Sequence, residues 1–279
     1  MEPTIQYIEK ELSGFYPATE VRGFTRLIFG HVCGMGYTEQ ILRRKEELDT
    51  DSKQGIRKIV ERLKSYEPLQ YILGETEFFG LKLKIAPGVL IPRPETEELV
   101  QWIVDSAKNE SPSILDIGTG SGCIALVLKN ELKNAQVSAV DFSEMALKIA
   151  SENARINQLV VEFIHADILK WQNLSWDVFD IIVSNPPYVR ELEKRAMFPN
   201  VLKYEPCEAL FVSNNDPLIF YRQIGKFAQI YLKEGGELYF EINENLGSET
   251  LKLMSDFNFR DVILKKDLHR KERMLRCRK

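Results

Sequence analysis

From Ser111-Pro112 onward, short β-rich apolar runs alternate with helical periods, and this alternation restricts the chain more than any other feature. The runs are Ile114 to Ile117, Val137 to Val140, Val161 to His165 and Phe179 to Val183, with helices at Cys123 to Leu132 and Met145 to Asn157. Strands made of continuous Val, Ile and Leu and separated by helices indicate a parallel sheet covered on both faces. Further on come Glu237 to Ile242, a helix from about Ser248 to Met254, and two closing segments, Asp261 to Lys265 and Arg273 to Cys277. The closeness of these last two predicts a hairpin, hence an antiparallel edge. The expected fold class is α/β, a mostly parallel sheet with helices on both faces, whose ligands sit at the carboxyl ends of the strands.

The first 75 residues read differently. Ile5, Ile8 and Leu12 share one helical face, as do Val21, Phe24 and Ile28, and then Ile56, Ile59, Val60 and Leu63. They predict a small helical domain over 1–75, without a catalytic constellation, whose role is to bind a partner or shape a site. From Thr76 the apolar period drops to 2, with Leu81, Leu83 and Ile85 alternating against Lys82 and Lys84, which predicts a hairpin linker over 76–92. Pro92-Arg93-Pro94-Glu95-Thr96-Glu97 then opens a helix and the large domain, 93–279.

Composition removes several classes. No apolar run among the 279 residues approaches the roughly 20 needed to span a bilayer, and Met1-Glu2-Pro3-Thr4 lacks the pattern of a secretory signal, so a cytoplasmic location is expected. The four cysteines and three histidines are scattered, which predicts neither disulfides nor a metal site. A net charge of −4 argues against affinity built on neutralising a phosphate backbone. The basic residues near the C-terminus, from Arg260 to Lys279, read as a charged strand edge.

Ile114-Leu115-Asp116-Ile117-Gly118-Thr119-Gly120-Ser121-Gly122 joins the first strand to its helix through a glycine-rich turn that lets the backbone approach a ligand closely. Asp141, at the end of the second strand, stands where an acid can hold the two ribose hydroxyls of an adenosine ligand. Dinucleotides and S-adenosylmethionine share this arrangement, and G-x-G-x-G spacing separates them only partly. Asp116 lies within reach of a cationic aminoacyl group, or else caps backbone amides. Asp167 at the end of the third strand can accept from an adenine amino group, with Ile168 beside the ring.

Asn185-Pro186-Pro187-Tyr188 follows the fourth strand. Two consecutive prolines have no N–H and a fixed φ, so they hold carbonyls rigidly outside the sheet ladder. Asn185 Oδ1 and the Pro186 carbonyl can each accept one hydrogen of an incoming NH2 group, and Tyr188 can stack on its plane. Such a platform suits methyl transfer to a planar nitrogen. Asn185, Pro186 and Tyr188 are therefore the candidate catalytic residues; Asn185 to Tyr188 are the candidate substrate contacts. The candidate cofactor contacts are Gly118, Thr119, Gly120, Ser121, Gly122, Asp141, Asp167, Ile168 and Asn185. The residues leave open a protein glutamine, an adenine N6 of nucleic acid and, outside enzymes, a nucleotide-binding module.

The chain resembles the PrmC (HemK) protein-(glutamine-N5) methyltransferases. The matching strings are Glu67 to Gly74, Ile91 to Glu97, the Gly118 to Gly122 turn, Asn185 to Tyr188, Tyr204-Glu205-Pro206, and Asp267-Leu268 leading to Arg273. The Pro92-Arg93-Pro94-Glu95 string is the most specific, since related ribosomal-protein glutamine methyltransferases share the Asn185 motif but differ there. The resemblance implies a seven-stranded methyltransferase domain with S-adenosylmethionine as cofactor, a hairpin linker and an N-terminal domain that helps hold the substrate; a monomer is expected. The implied substrate is the glutamine of the Gly-Gly-Gln loop of class 1 peptide release factors. Two places depart from the family pattern: Val212-Ser213-Asn214-Asn215 and Asn243 stand where many relatives have glycines.

Overall fold

The computed structural model describes residues 1–279, which divide into two units, Met1–Gly74 with Phe198–Tyr204, and Glu75–Met197 with Glu205–Lys279. The first unit contains α1 (Glu2–Leu12), α2 (Ala18–Cys33), α3 (Tyr37–Leu42), α4 (Thr50–Lys64) and α5 (Leu69–Leu73). The predicted apolar faces meet in its core: Ile8, Leu12, Val21, Ile28, Ile56, Val60 and Leu63 are buried together with Phe29 and Leu69. Asp49 starts α4 by accepting the Ser52 N–H at 2.8 Å, and Gly34 ends α2 in the left-handed region. The short helix α9 (Pro199–Tyr204) belongs to this unit, and its Tyr204 hydroxyl donates to the Ser65 carbonyl at 3.0 Å.

The second unit begins with a hairpin of β1 (Glu75–Phe78) and β2 (Leu81–Lys84), followed by α6 (Pro94–Ser106). Then come β3 (Ser113–Ile117), α7 (Cys123–Glu131), β4 (Gln136–Asp141), α8 (Glu144–Ile156), β5 (Glu162–His165) and β6 (Phe179–Ser184). Two short pieces, β7 (Val189–Arg190) and β8 (Phe211–Val212), pair with each other, and α10 (Cys207–Leu210) precedes the latter. The chain closes with α11 (Ile219–Tyr231), β9 (Leu232–Glu241), α12 (Gly247–Asp256), β10 (Arg260–Lys266) and β11 (Glu272–Arg278).

Seven strands form one sheet in the order β10-β11-β9-β6-β3-β4-β5, parallel from β9 to β5 and antiparallel at β10 and β11. Alternation within the strands sorts their apolar side chains between two cores. Ile114, Val137, Ile181 and Val183 pack with Leu99, Ile103 and Leu126 on one face. Leu115, Val140, Ile182 and Phe240 pack with Tyr221, Ile224 and Phe227 on the other. The hairpin read from the sequence as a linker is built into the first of these cores through Phe78 and Leu83. The Asn153 side chain pins it, accepting the Lys84 N–H at 2.6 Å and donating to the Lys84 carbonyl at 3.0 Å. β4 lies on one side of β3 and β6 on the other, so the connections diverge there and leave a crevice at the strands' carboxyl ends. No helix is long and apolar enough to cross a membrane.

Candidate active site

A cavity of about 320 Å³ opens at the crevice. Its wall includes Gly118, Thr119, Gly120, Ser121, Asp141, Asp167, Ile168, Asn185, Pro186 and Pro187, so most of the residues singled out in the sequence share one space. Gly122 and Tyr188 are not part of the wall, and their environments explain why.

The glycine turn is built on left-handed backbone: φ is +75° at Gly118, +57° at Gly120 and +83° at Gly122. A Cβ on Gly118 or Gly120 would meet nothing within 4 Å, whereas one on Gly122 would lie 3.1 Å from Ala150 Cβ and 3.3 Å from Leu126 Cδ1. The first two glycines therefore keep a cradle open, and the third lets α7 approach α8. Asp116 holds the turn from behind. Its Oδ2 accepts the Thr119 hydroxyl at 2.6 Å and the Ala125 N–H at 3.3 Å. Burial pushes its carboxyl up to about 7 against these two hydrogen bonds. Of the two sequence readings for Asp116, capping is the one its contacts express.

Asp141 lines the cavity while its Oδ2 accepts the Gly120 N–H at 2.8 Å and its Oδ1 the Ser143 N–H at 2.9 Å. Each oxygen keeps a second lone pair for a ligand hydroxyl. Burial raises its pKa, opposed by these N–H donors. Asp167 caps the 3-10 turn Ile168–Asn173 through the Leu169 N–H at 2.9 Å, and this sets Ile168 against the cavity.

Asn185 stands at the end of β6, where the Ser184 hydroxyl donates to the Ile117 carbonyl at 2.7 Å and ties the strand to β3. Asn185 Nδ2 donates to Thr96 Oγ1 at 3.3 Å, and the Thr96 hydroxyl donates to Glu241 Oε2 at 2.6 Å. The other carboxylate oxygen, Oε1, accepts the Tyr188 hydroxyl at 2.9 Å. Glu241 is fully buried; burial raises its pKa, while the Thr96 and Tyr188 hydroxyls and the Arg273 charge pull the other way. Burial also pushes the Tyr188 phenol well up, so it remains a donor. Thus Tyr188 reaches into the core beneath the motif, and its ring is fixed from its far end.

Four residues of this region were not assigned roles in the sequence: Thr96, Glu241, Arg93 and Glu205. Arg93 lines the cavity and donates to Glu205 Oε1 at 2.6 Å, and Glu205 Oε2 accepts the Ile91 N–H at 3.3 Å. The Pro92–Glu97 and Tyr204–Pro206 strings are thereby joined across more than a hundred residues of chain. Only Glu241 carried a local signal, a carboxylate in the apolar run Leu238-Tyr239-Phe240-Glu241-Ile242.

Comparison with known proteins agrees with this architecture. Residues 4–74 match the PrmC N-terminal domain family, and residues 95–203 match the Methyltransferase small domain family. A curated relative from Flavobacterium psychrophilum, named release factor glutamine methyltransferase, is 45% identical over 271 residues, 95% of this chain and 94% of its own length. A relative of the same name from Bacteroides thetaiotaomicron is 42% identical, covering 96% of each chain. Among solved structures, a methyltransferase from Pyrococcus furiosus aligns with a TM-score of 0.54 at 19% identity, over 82% of this chain and 98% of that one. A 16S rRNA N2 G1207 methyltransferase from T. thermophilus also gives 0.54 at 19% identity, over 74% and 49%. Those two likenesses establish the fold alone, whereas the curated relatives match along nearly their full length: the chain belongs to the release factor glutamine methyltransferase family, and is an S-adenosylmethionine-dependent enzyme.

Proposed function

We propose that the chain transfers the methyl group of S-adenosylmethionine to the side-chain amide nitrogen of the glutamine in the Gly-Gly-Gln loop of class 1 peptide release factors. The observation that carries this reading is that the Asn185 amide and the glycine cradle share one cavity, with the amide's NH2 end turned to Thr96 and its Oδ1 end therefore opposite.

The cavity residues fit the cofactor. Gly118 and Gly120 leave space for it, and Asp141 has lone pairs for two ribose hydroxyls. Thr119 and Ser121 line the same cavity, in which Asp167 and Ile168 would flank the adenine. When bound, S-adenosylmethionine supplies an electrophilic sulfonium methyl. The protein's task is the nucleophile. An amide nitrogen shares its lone pair with the carbonyl, on a scale set by the ~18–20 kcal/mol rotational barrier, so it attacks poorly. Asn185 Oδ1 and the Pro186 carbonyl accept its two N–H groups and aim the nitrogen at the methyl. As positive charge develops these hydrogen bonds strengthen, which favours the transition state over the ground state; the S–CH3 bond would break as N–CH3 forms, S-adenosyl-L-homocysteine would leave, and the nitrogen's surplus proton would pass by way of these acceptors to water. Pro187 fixes the backbone, and Tyr188, with its hydroxyl on Glu241, anchors the motif from beneath rather than facing the substrate.

The test is methyl transfer from radiolabelled S-adenosylmethionine to a release factor, to that factor with its loop glutamine changed to alanine, and to DNA. Label on the unaltered factor alone is expected; label on the alanine variant, or on DNA only, would overturn the assignment.

A further inference from the structure

We propose that Thr96 and Glu241 are positioning residues that set which end of the Asn185 side-chain amide faces the cavity. This inference rests on the functional reading above, in which Asn185 Oδ1 is the acceptor.

The two ends of an asparagine amide are nearly equal in size, so shape alone does not choose between them; donors and acceptors must. The choice begins at Glu241. Both of its oxygens act as acceptors, each taking one hydroxyl, Thr96 at 2.6 Å on Oε2 and Tyr188 at 2.9 Å on Oε1. A hydroxyl has one hydrogen. Once Thr96 gives it to Glu241, only lone pairs remain on Oγ1 for Asn185, and these accept from Nδ2 and repel Oδ1. The reversed amide would set two oxygens against each other and leave the NH2 toward the substrate, where it would meet the N–H groups it is meant to receive. Thr96 and Glu241 are both almost fully buried, so water does not offer Asn185 an alternative partner on that side. The Tyr221 hydroxyl donates to the Glu241 backbone carbonyl at 3.1 Å and fixes the carboxylate's own strand position.

Thr96→Val removes the hydroxyl at similar bulk, and Thr96→Ser keeps it. Two readouts are needed. In steady-state methylation of release factor, Thr96→Val is expected to lower kcat about tenfold to a hundredfold with S-adenosylmethionine affinity within about twofold, and Thr96→Ser to restore most of the rate. In NMR of the 15N-labelled protein, the hydrogen-bonded Asn185 side-chain amide proton is expected to move upfield in Thr96→Val and to stay in place in Thr96→Ser. Thr96→Ala gives the same reading should the valine variant not fold. An Asn185 amide signal unchanged by loss of the hydroxyl would overturn the proposal, as would an unchanged kcat. A wild-type protein that leaves release factor unlabelled would instead refute the functional reading, and the amide signal would still decide this one.

Discussion

Asn243 Nδ2 donates at once to the Tyr188 carbonyl at 3.0 Å and to Glu193 Oε2 at 2.9 Å, so a single buried amide clamps the end of the Asn185 motif to the segment that follows it. Glu193 is a strong acceptor here. Partial burial raises its pKa, but the Arg190 side chain and N–H, with Asn243 and Asn245, outweigh that and lower it to about 2. Asn243→Gly, which introduces the residue common in this family at that position, should therefore lower stability by about 1–3 kcal/mol, the cost of losing two hydrogen bonds, one of them to a charged acceptor. Urea unfolding checks this; an unchanged midpoint and slope would show that the clamp contributes nothing.

Asn185→Ala should keep cofactor affinity within a few-fold, because the cradle and Asp141 are untouched, and reduce turnover by about 100-fold to 1,000-fold, the usual range for loss of one preorganised polar group. Calorimetric titration of S-adenosylmethionine beside single-turnover methylation separates the two effects. Undiminished turnover would mean the acceptor platform is elsewhere.

The glycines of the turn should divide by role. Gly122→Ala combines a left-handed backbone with a Cβ pressed on Ala150 and Leu126, and should cost about 1–3 kcal/mol of stability. Gly120→Ala carries the backbone cost alone, and its methyl enters open space beside the cavity, so it should also weaken cofactor binding. Thermal unfolding with and without cofactor distinguishes them: the shift produced by cofactor should shrink in Gly120→Ala and persist in Gly122→Ala.

Much of this was legible in the chain because it depends on local signals. The run Phe179-Asp180-Ile181-Ile182-Val183-Ser184 and its counterparts announced strands, and the closing pair became the antiparallel edge of β10 and β11. The cofactor turn and the Asn185 motif were readable because glycine and proline act on their own backbone. What stayed hidden is long-range. Thr96 and Asn185 are 89 residues apart, and nothing in either neighbourhood indicates the other. The side of Tyr188 was equally hidden: its hydroxyl finds Glu241, 53 residues onward, so the ring leaves the cavity wall. The two departures from the family pattern also acquire a common role only in three dimensions. Asn243 holds Tyr188 and Glu193, and Asn214 Oδ1 accepts the Leu192 N–H at 3.0 Å, so both secure the stretch just after the motif.

Asp116 should leave a mark on the pH dependence of stability. Burial raises its carboxyl from 3.8 to about 7 in the fold, so between those limits the folded state binds a proton that the unfolded chain has released. Stability then falls as pH rises through that window, by up to about 1.4 kcal/mol per pH unit for one proton, and the loss is complete above the folded pKa. Asp116→Asn retains an acceptor for Thr119 and Ala125 but cannot titrate. Asp141, also raised by burial, is present in both proteins, and its charge adds only the smallest of the causes acting on Asp116. Relative to Asp116→Asn, the cofactor-free wild type should therefore lose stability from about pH 4 to about pH 7 and run parallel to it beyond. Urea unfolding of both proteins at a series of pH values measures the difference; curves parallel across the whole range would show that Asp116 is ionised in the fold despite its burial.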